Sequence, residues 1–112
     1  MFVHNTTFMV VPAMRGALTE LLAEEWRRHR QSVPASGMRL SELVSAGDST
    51  GDADAACVAF QVDFPDMRGV EAWVNGPWNR IVENFYNRFG NEAMTFSSVF
   101  RVLDNWQPVP VQ

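Results

Sequence analysis

Two histidines are the side chains of this sequence best suited to acid–base or ligand chemistry near neutral pH. His29 follows Trp26 by three residues at the end of an apolar stripe, where it could act as an acid, a base or a ligand. His4 lies in a strand-like segment, and Ser98 of a later segment is its expected neighbour. We favour a structural interpretation of both: His29 would cap helix carbonyl groups, and His4 would be a hydrogen-bonded core residue. The catalytic residues therefore stay unknown.

Metal and cofactor chemistry has little support in the sequence. The two histidines lie on different predicted elements, and a single cysteine, Cys57, cannot build a structural zinc site. A glycine-rich phosphate loop and a Gly-x-Ser-x-Gly sequence are both missing. We therefore predict no metal site and no cofactor.

Four segments have the alternating apolar pattern of strands, and they must position these side chains. The predicted strands cover residues 2–11, 38–46, 56–64 and 93–104. Residues 56–64 alternate most clearly and should form a central strand.

Two helices are predicted between these strands. Apolar residues recur every three or four positions over residues 13–31. A second stripe begins after Asp66, a suitable N-cap, and ends before Gly90, a suitable left-handed C-cap. A kink is expected at residues 75–77, because Asn-Gly-Pro lowers helix propensity and removes a backbone donor.

The order of these elements predicts an α+β protein with the ferredoxin-like βαββαβ arrangement. Both helices would cover one face of a four-stranded antiparallel sheet. The uncovered face would show Met9, Val11, Val99 and Leu103, a surface too apolar to remain in water. We therefore predict a homodimer, a dimeric α+β barrel formed by pairing two sheets. Residues 1–104 would form this one domain, and residues 105–112, with two prolines, an extended arm.

The composition narrows the classes of partner. Thirteen acids against nine arginines give a net charge of −4, which provides no general attraction for nucleic acid or anionic lipid. No apolar run is long enough for a membrane span, and the N-terminus lacks the pattern of a signal peptide. A single cysteine fits a reducing compartment. We therefore expect a cytoplasmic protein with no nucleic-acid or membrane partner.

Three short motifs resemble those of a known family. They are Asn5-Thr6-Thr7-Phe8, the spacing from His29 to Gly37, and Arg88-Phe89-Gly90. Together they are similar to an uncharacterised bacterial family of unknown function in the dimeric α+β barrel superfamily. The sequence departs from that family after His29, where residues 30–32 replace an Ile-Pro-Glu run. The resemblance implies the fold and a bacterial origin, and the superfamily includes cofactor-free monooxygenases and haem-degrading enzymes.

Two hypotheses for function follow, and whether the protein is an enzyme stays open. The first is a homodimer that binds a small apolar or aromatic molecule, or a protein partner. The second, implied by the resemblance, is a cofactor-independent monooxygenase or haem-degrading-type enzyme with His29 as the base and Asn5 as an orienting amide. The ligand-binding residues predicted for either are His29, Asn5, His4, Trp26 and Trp78.

Overall fold

A computed structural model describes residues 1–44, 55–90 and 92–108 of the chain. Four strands and three α-helices form the architecture of this described part, and short 3-10 turns at Pro12–Met14 and Arg30–Ser32 flank the first helix. In chain order the elements are β1 (Phe2–Val10), α1 (Arg15–His29), β2 (Gly37–Glu42), β3 (Ala56–Phe64), α2 (Met67–Val74), α3 (Pro77–Phe89) and β4 (Met94–Arg101). This order confirms the predicted βαββαβ arrangement, with the second helix divided in two.

The strands form one antiparallel sheet in the order β2-β3-β1-β4. Side chains alternate between two faces along β1 and β3, and on each strand every second residue is buried beneath the helices. We call this side the helix face. Its buried residues are His4, Thr6, Phe8 and Val10 of β1 and Ala56, Val58, Phe60, Val62 and Phe64 of β3.

The helices close the core over the helix face. Each contributes residues that are almost completely buried: Leu18 and Leu22 from α1, Val70 and Trp73 from α2, and Ile81 and Phe85 from α3. Burying one such apolar side chain stabilises the fold by roughly 1.5–3 kcal/mol. This layer therefore holds the helices against the sheet.

The break between α2 and α3 occurs where it was predicted. Helix α2 ends at Val74 and α3 begins at Pro77. Proline is well tolerated at a helix start, because an N–H at that position would have no intrahelical partner. At the start of α2 the Asp66 carboxylate accepts a hydrogen bond from the Gly69 N–H at 3.1 Å, which confirms the predicted N-cap. Gly90 ends α3 with φ of 80°, a conformation that glycine adopts without strain.

Gly69 brings α2 unusually close to the sheet. A Cβ atom at this position would lie 2.8 Å from Cδ1 of Phe64 and 3.3 Å from Cγ of Pro34. Since Phe64 is completely buried, its ring has little room to move aside. Glycine is therefore required by packing here, at the contact between α2 and the end of β3.

Several predicted elements extend beyond the observed ones. Strand β2 ends at Glu42 and β4 at Arg101, whereas the predictions reached residues 46 and 104; residues 45 and 46 lie outside the described part of the chain. Within residues 102–108, the Val102 N–H alone continues the pairing, to the Met1 carbonyl at 3.0 Å. The arm has no regular structure over residues 105–108, and residues 109–112 lie outside the described chain.

The predicted orientation of the last strand was wrong. In the observed register Phe96 is opposite Thr7 and Phe100 is opposite Val3, so both phenylalanines are on the side away from the helices. Val99 is opposite His4 and belongs to the helix face instead. Both rows of β4 contain apolar residues and nearly the whole strand is exposed, so alternation alone could not select a face.

We call the side away from the helices the open face. Because directly paired residues share a face, it comprises Val3, Asn5, Thr7 and Met9 of β1, Arg39 and Ser41 of β2, Cys57, Ala59, Gln61 and Asp63 of β3, and Met94, Phe96, Ser98 and Phe100 of β4.

Candidate functional site

The aromatic side chains between sheet and helices form one continuous cluster around Trp73. Its indole contacts four other rings with centroid distances between 5.9 and 6.5 Å. The aromatic cluster comprises His4, Trp26, Phe60, Phe64, Trp73 and Trp78. Three residues predicted as a ligand site, His4, Trp26 and Trp78, are therefore brought together, but they pack against protein rings.

His4 is a neutral histidine in a defined tautomer. The Trp73 indole Nε1–H donates to His4 Nδ1 at 3.2 Å, and an indole nitrogen can only donate. Nδ1 must therefore be unprotonated, which places the proton of the neutral ring on Nε2. Burial lowers the pKa of His4 from 6.5 to about 4, and the Trp73 donor acts in the same direction. Near neutral pH, His4 is a buried acceptor.

Trp78 makes the second indole hydrogen bond to β1. Its Nε1–H donates to the Thr6 hydroxyl oxygen at 2.9 Å, and its ring lies edge-on to His4 at 5.4 Å. Thr6 and His4 are both buried polar residues of β1, so each has found a tryptophan donor from a different helix. These two bonds fix α2 and α3 on the sheet.

The predicted neighbour of His4 was wrong. Ser98 is paired with Asn5, so the two side chains are on the open face and the serine cannot contact His4. The polar partner of His4 comes from α2, which is distant in sequence. This error has the same cause as the reversed faces of β4.

His29 belongs to a separate polar contact between α1 and α3. Its Nε2 atom lies 3.3 Å from Oε2 of Glu25, a carboxylate with only 3% of its side chain exposed. Oε1 of Glu25 accepts from Asn84 Nδ2 at 3.0 Å and from Arg28 Nη1 at 3.3 Å. Oε2 is buried and accepts no hydrogen bond of good geometry from the described residues. The His29 ring is thus the basic group closest to that oxygen.

Sequence reasoning missed Glu25 and Asn84. The signal for Glu25 was its position on the buried side of α1, between Leu22 and Trp26, where a carboxylate requires compensation. Nothing in the local sequence connects it with α3, because that contact depends on how the two helices pack. The signal that the sequence offered was therefore the Glu25 carboxylate within the apolar stripe of α1.

Asn5 is remote from the other predicted site residues. It lies on the open face opposite Gln61, with β1 itself separating it from the aromatic cluster. His29 lies on the helix side of the sheet. The single chain therefore does not bring together the base and the orienting amide of the second hypothesis.

Two neighbouring cavities occur at one end of β1, away from all five predicted residues. The larger, of about 150 Å³, is lined by Val10, Val11, Met14, Arg88, Phe89, Glu92 and Ala93. The smaller, of about 110 Å³, is lined by Met9, Val10, Val11, Ala55, Glu92 and Met94. We call the larger one the end cavity. Its Arg88 and Phe89 come from a motif noted in the sequence.

Other kinds of site find no support in the part of the chain that the structure describes. No group of three or more His, Cys, Asp or Glu side chains converges there as metal ligands would. No helix within residues 1–44, 55–90 and 92–108 combines the length and hydrophobicity that a bilayer span requires.

The fold defines the class of the protein: it has the ferredoxin-like α+β fold, and solved structures similar to it include dimeric and monooxygenase-type members of that class. A proposed antibiotic biosynthesis monooxygenase from Deinococcus radiodurans is 10% identical with a TM-score of 0.70, covering 98% of this chain and 100% of its own. A dimeric ferredoxin-like protein from an uncultured marine organism is 15% identical with a TM-score of 0.68, covering 94% and 97%.

A third similar structure, an antibiotic biosynthesis monooxygenase, is 14% identical with a TM-score of 0.55 and covers 98% of this chain and 100% of its own. No protein-family model and no curated protein matches the chain. At such low identities the likeness establishes the fold alone.

Proposed function

We propose that this protein is a homodimer that pairs through its open faces and binds a small, largely apolar molecule. The exposed apolar side chains of β4 carry this proposal. Met94, Phe96 and Phe100 are 49%, 55% and 56% exposed, and all three are on the open face. Leaving such a row in water is unfavourable, and a two-fold axis lets the same patch cover itself.

The middle of the open face also suits pairing with a copy of itself. Asn5, Gln61 and Ser98 lie side by side across three strands, and each can both donate and accept hydrogen bonds. Arg39 already donates to the Gln61 side-chain oxygen at 3.0 Å. In a two-fold dimer, the apolar side chains of β4 and these neutral polar groups would contact the same kinds of group on the partner. Neither contact brings like charges together. The dimeric state of a similar fold supports this arrangement.

The ligand part of the proposal depends on the cavities and not on the aromatic cluster. Trp73 is 1% exposed and fills the space between α2 and the sheet, and His4 is 3% exposed. We propose that the cluster, including Trp26 and Trp78, supports the fold. The two cavities described above lie at the end of β1, where most of the lining residues are apolar.

Sedimentation equilibrium over a range of concentrations tests the dimer. The wild-type protein should sediment at twice the chain mass in the micromolar range. Phe96→Glu should dissociate it, because each interface would receive two unpaired carboxylates. Met67→Glu is the matched control: Met67 is 39% exposed at the start of α2, where an acidic residue suits the helix dipole. This control should remain dimeric.

A wild-type monomer at these concentrations would overturn the dimer. Equal dissociation by both glutamate variants would show a general effect of charge and would also count against an interface on the open face.

The fold likeness to monooxygenases leaves a second candidate, a cofactor-independent oxygenase. The observation that favours it is that Nε2 of His29 lies 3.3 Å from the buried Glu25 carboxylate, because a neighbouring carboxylate can orient a catalytic histidine. Oxygen uptake with a panel of quinols tests this activity, and His29→Gln should abolish it. A haem titration followed in the Soret region tests the haem-degrading branch. We rank both below ligand binding, because Asn5 is on the other side of the sheet.

We also propose that the protein belongs to the uncharacterised bacterial family within the dimeric α+β barrel superfamily, and that it is cytoplasmic. The motif Arg88-Phe89-Gly90 supports the first and the single cysteine, Cys57, the second. Fractionation of the source cells tests the location directly.

A further inference from the structure

The end cavity combines an apolar floor with two side chains of opposite charge. Val10 is 5% exposed and Ala93 is also 5% exposed, and with Val11, Met14 and Phe89 they give the cavity its apolar lining. Its volume of about 150 Å³ is below the roughly 300–1,000 Å³ of sites for drug-sized ligands. A molecule that fits it is therefore no larger than a small metabolite.

Arg88 and Glu92 supply the charges. Arg88, in the last turn of α3, holds its guanidinium 5.7 Å from the centroid of the Phe89 ring. This stacking restrains the guanidinium but leaves its N–H groups available for an anion. Neither Arg88 nor Glu92 forms an ion pair with any residue in the described part of the chain. Both line the cavity.

We propose that the end cavity binds a small zwitterion with an apolar side chain, of the class of the α-amino acids, with its carboxylate on Arg88 and its ammonium group on Glu92. This inference rests on the proposed function, because it names the ligand of the apolar site. The apolar side chain would lie against Val10, Met14 and Phe89.

The pair of charges selects this class over simpler ligands. A carboxylic acid would pair with Arg88 but bring its negative charge near Glu92. An amine would pair with Glu92 but bring its positive charge near Arg88. A neutral hydrocarbon would desolvate both charged groups without replacing their hydration. A zwitterion of this size matches both charges and fills the apolar lining.

Isothermal titration and backbone amide NMR on the whole protein test the inference with L-leucine as the probe. Isovalerate, which lacks the ammonium group, and isoamylamine, which lacks the carboxylate, are the matched ligands. Leucine should bind and shift the amide signals of Val10, Val11 and Ala93. Each matched ligand should bind more weakly than leucine by about tenfold or more.

Variants separate the two charges. Arg88→Gln and Glu92→Gln should each weaken leucine binding by about tenfold or more, since each removes one charge-assisted hydrogen bond. Arg80→Gln and Glu83→Gln are the controls: both residues are exposed on α3 and neither lines the cavity, so binding should be unchanged.

Three results would overturn the inference. They are no leucine binding at about 10 mM, isovalerate binding as tight as leucine binding, or equal weakening by the control variants. Indole and benzene, added as uncharged apolar probes, distinguish this failure from failure of the proposed function. If they shift the same amides and leucine does not, only the zwitterion class is wrong. If no probe binds, the proposed ligand-binding function falls with it.

Discussion

The two faces of one strand, β1, show how differently the same alternating pattern can be used. Toward the helices, His4 and Thr6 are buried, and each receives a hydrogen bond from a tryptophan indole. Away from the helices, Asn5 and Thr7 lie beside the exposed Phe96 of β4. The helix face has a second protein layer that satisfies its polar groups. The open face has apolar groups that no described residue covers, which is why we place the partner there.

Removing Trp73 should have the largest effect, because it is the centre of the aromatic cluster. Trp73→Ala should lower the free energy of unfolding by about 3–5 kcal/mol, through lost burial and the cavity left behind. Trp106→Ala is the control, since Trp106 is 81% exposed, and dilute protein should lose less than about 0.5 kcal/mol. Urea denaturation measures both. Equal losses would contradict the contrast between the covered and uncovered regions.

His4 should make stability depend on pH in a defined window. Its folded pKa of about 4 is below the ordinary value of 6.5, so only the unfolded chain binds the proton as the pH falls between these values. The stabilisation is complete above pH 6.5 and is lost progressively down to about pH 4, by about 3 kcal/mol in total.

Comparing unfolding curves of the wild type and His4→Gln across that window isolates the contribution, because the other acidic and basic groups are common to both. The difference in unfolding free energy between the two proteins should shrink as the pH falls. A constant difference would show that His4 is not buried in its neutral form.

The buried carboxylate of Glu25 provides the next test. Asn84→Ala removes a hydrogen bond to its Oε1 and should reduce the free energy of unfolding by about 1–3 kcal/mol. Asn87→Ala, at an exposed position of the same helix, should change it by less than about 0.5 kcal/mol. Thermal denaturation at neutral pH distinguishes them. If Asn84→Ala lowers the free energy of unfolding no more than Asn87→Ala does, then Arg28 and water satisfy the Glu25 carboxylate without α3.

The smallest effect on the folded chain itself should come from the open face. In dilute, dissociated protein, Phe96→Ser should change the unfolding free energy by less than about 0.5 kcal/mol. At higher concentration the wild type should gain stability by association and the variant should not. Melting temperatures at several concentrations reveal this. If the melting temperature of the wild type does not depend on concentration, the reason for contrasting the two faces is lost.

The fold was predictable from sequence where periodicity and turn chemistry agree. Strand β3 was predicted with its observed ends, and Asp66 and the break before Pro77 were read from local chemistry. Strand β4 was predicted, but with its two faces exchanged. A mostly exposed edge strand with apolar residues in both rows has no pattern that selects a face.

The site was less predictable, because its contacts join residues far apart in the chain. Trp73 bonds to His4 across 69 positions, and Asn84 bonds to Glu25 across 59. The sequence could nominate His4 and Trp78 as unusual residues in an aromatic setting, but not their partners. The end cavity was missed because its lining comes from β1, α3 and the segments beside them, none of which is distinctive alone.

Gly69 limits how this protein can change over time. It lies four residues before Trp73 and on the same side of α2, so the close approach at Gly69 also sets how deeply the tryptophan reaches toward the sheet. A library randomised at position 69 and selected for folding should return glycine almost alone. Adaptation to new ligands would therefore have to proceed at the far end of β1 and leave the α2 contact unaltered.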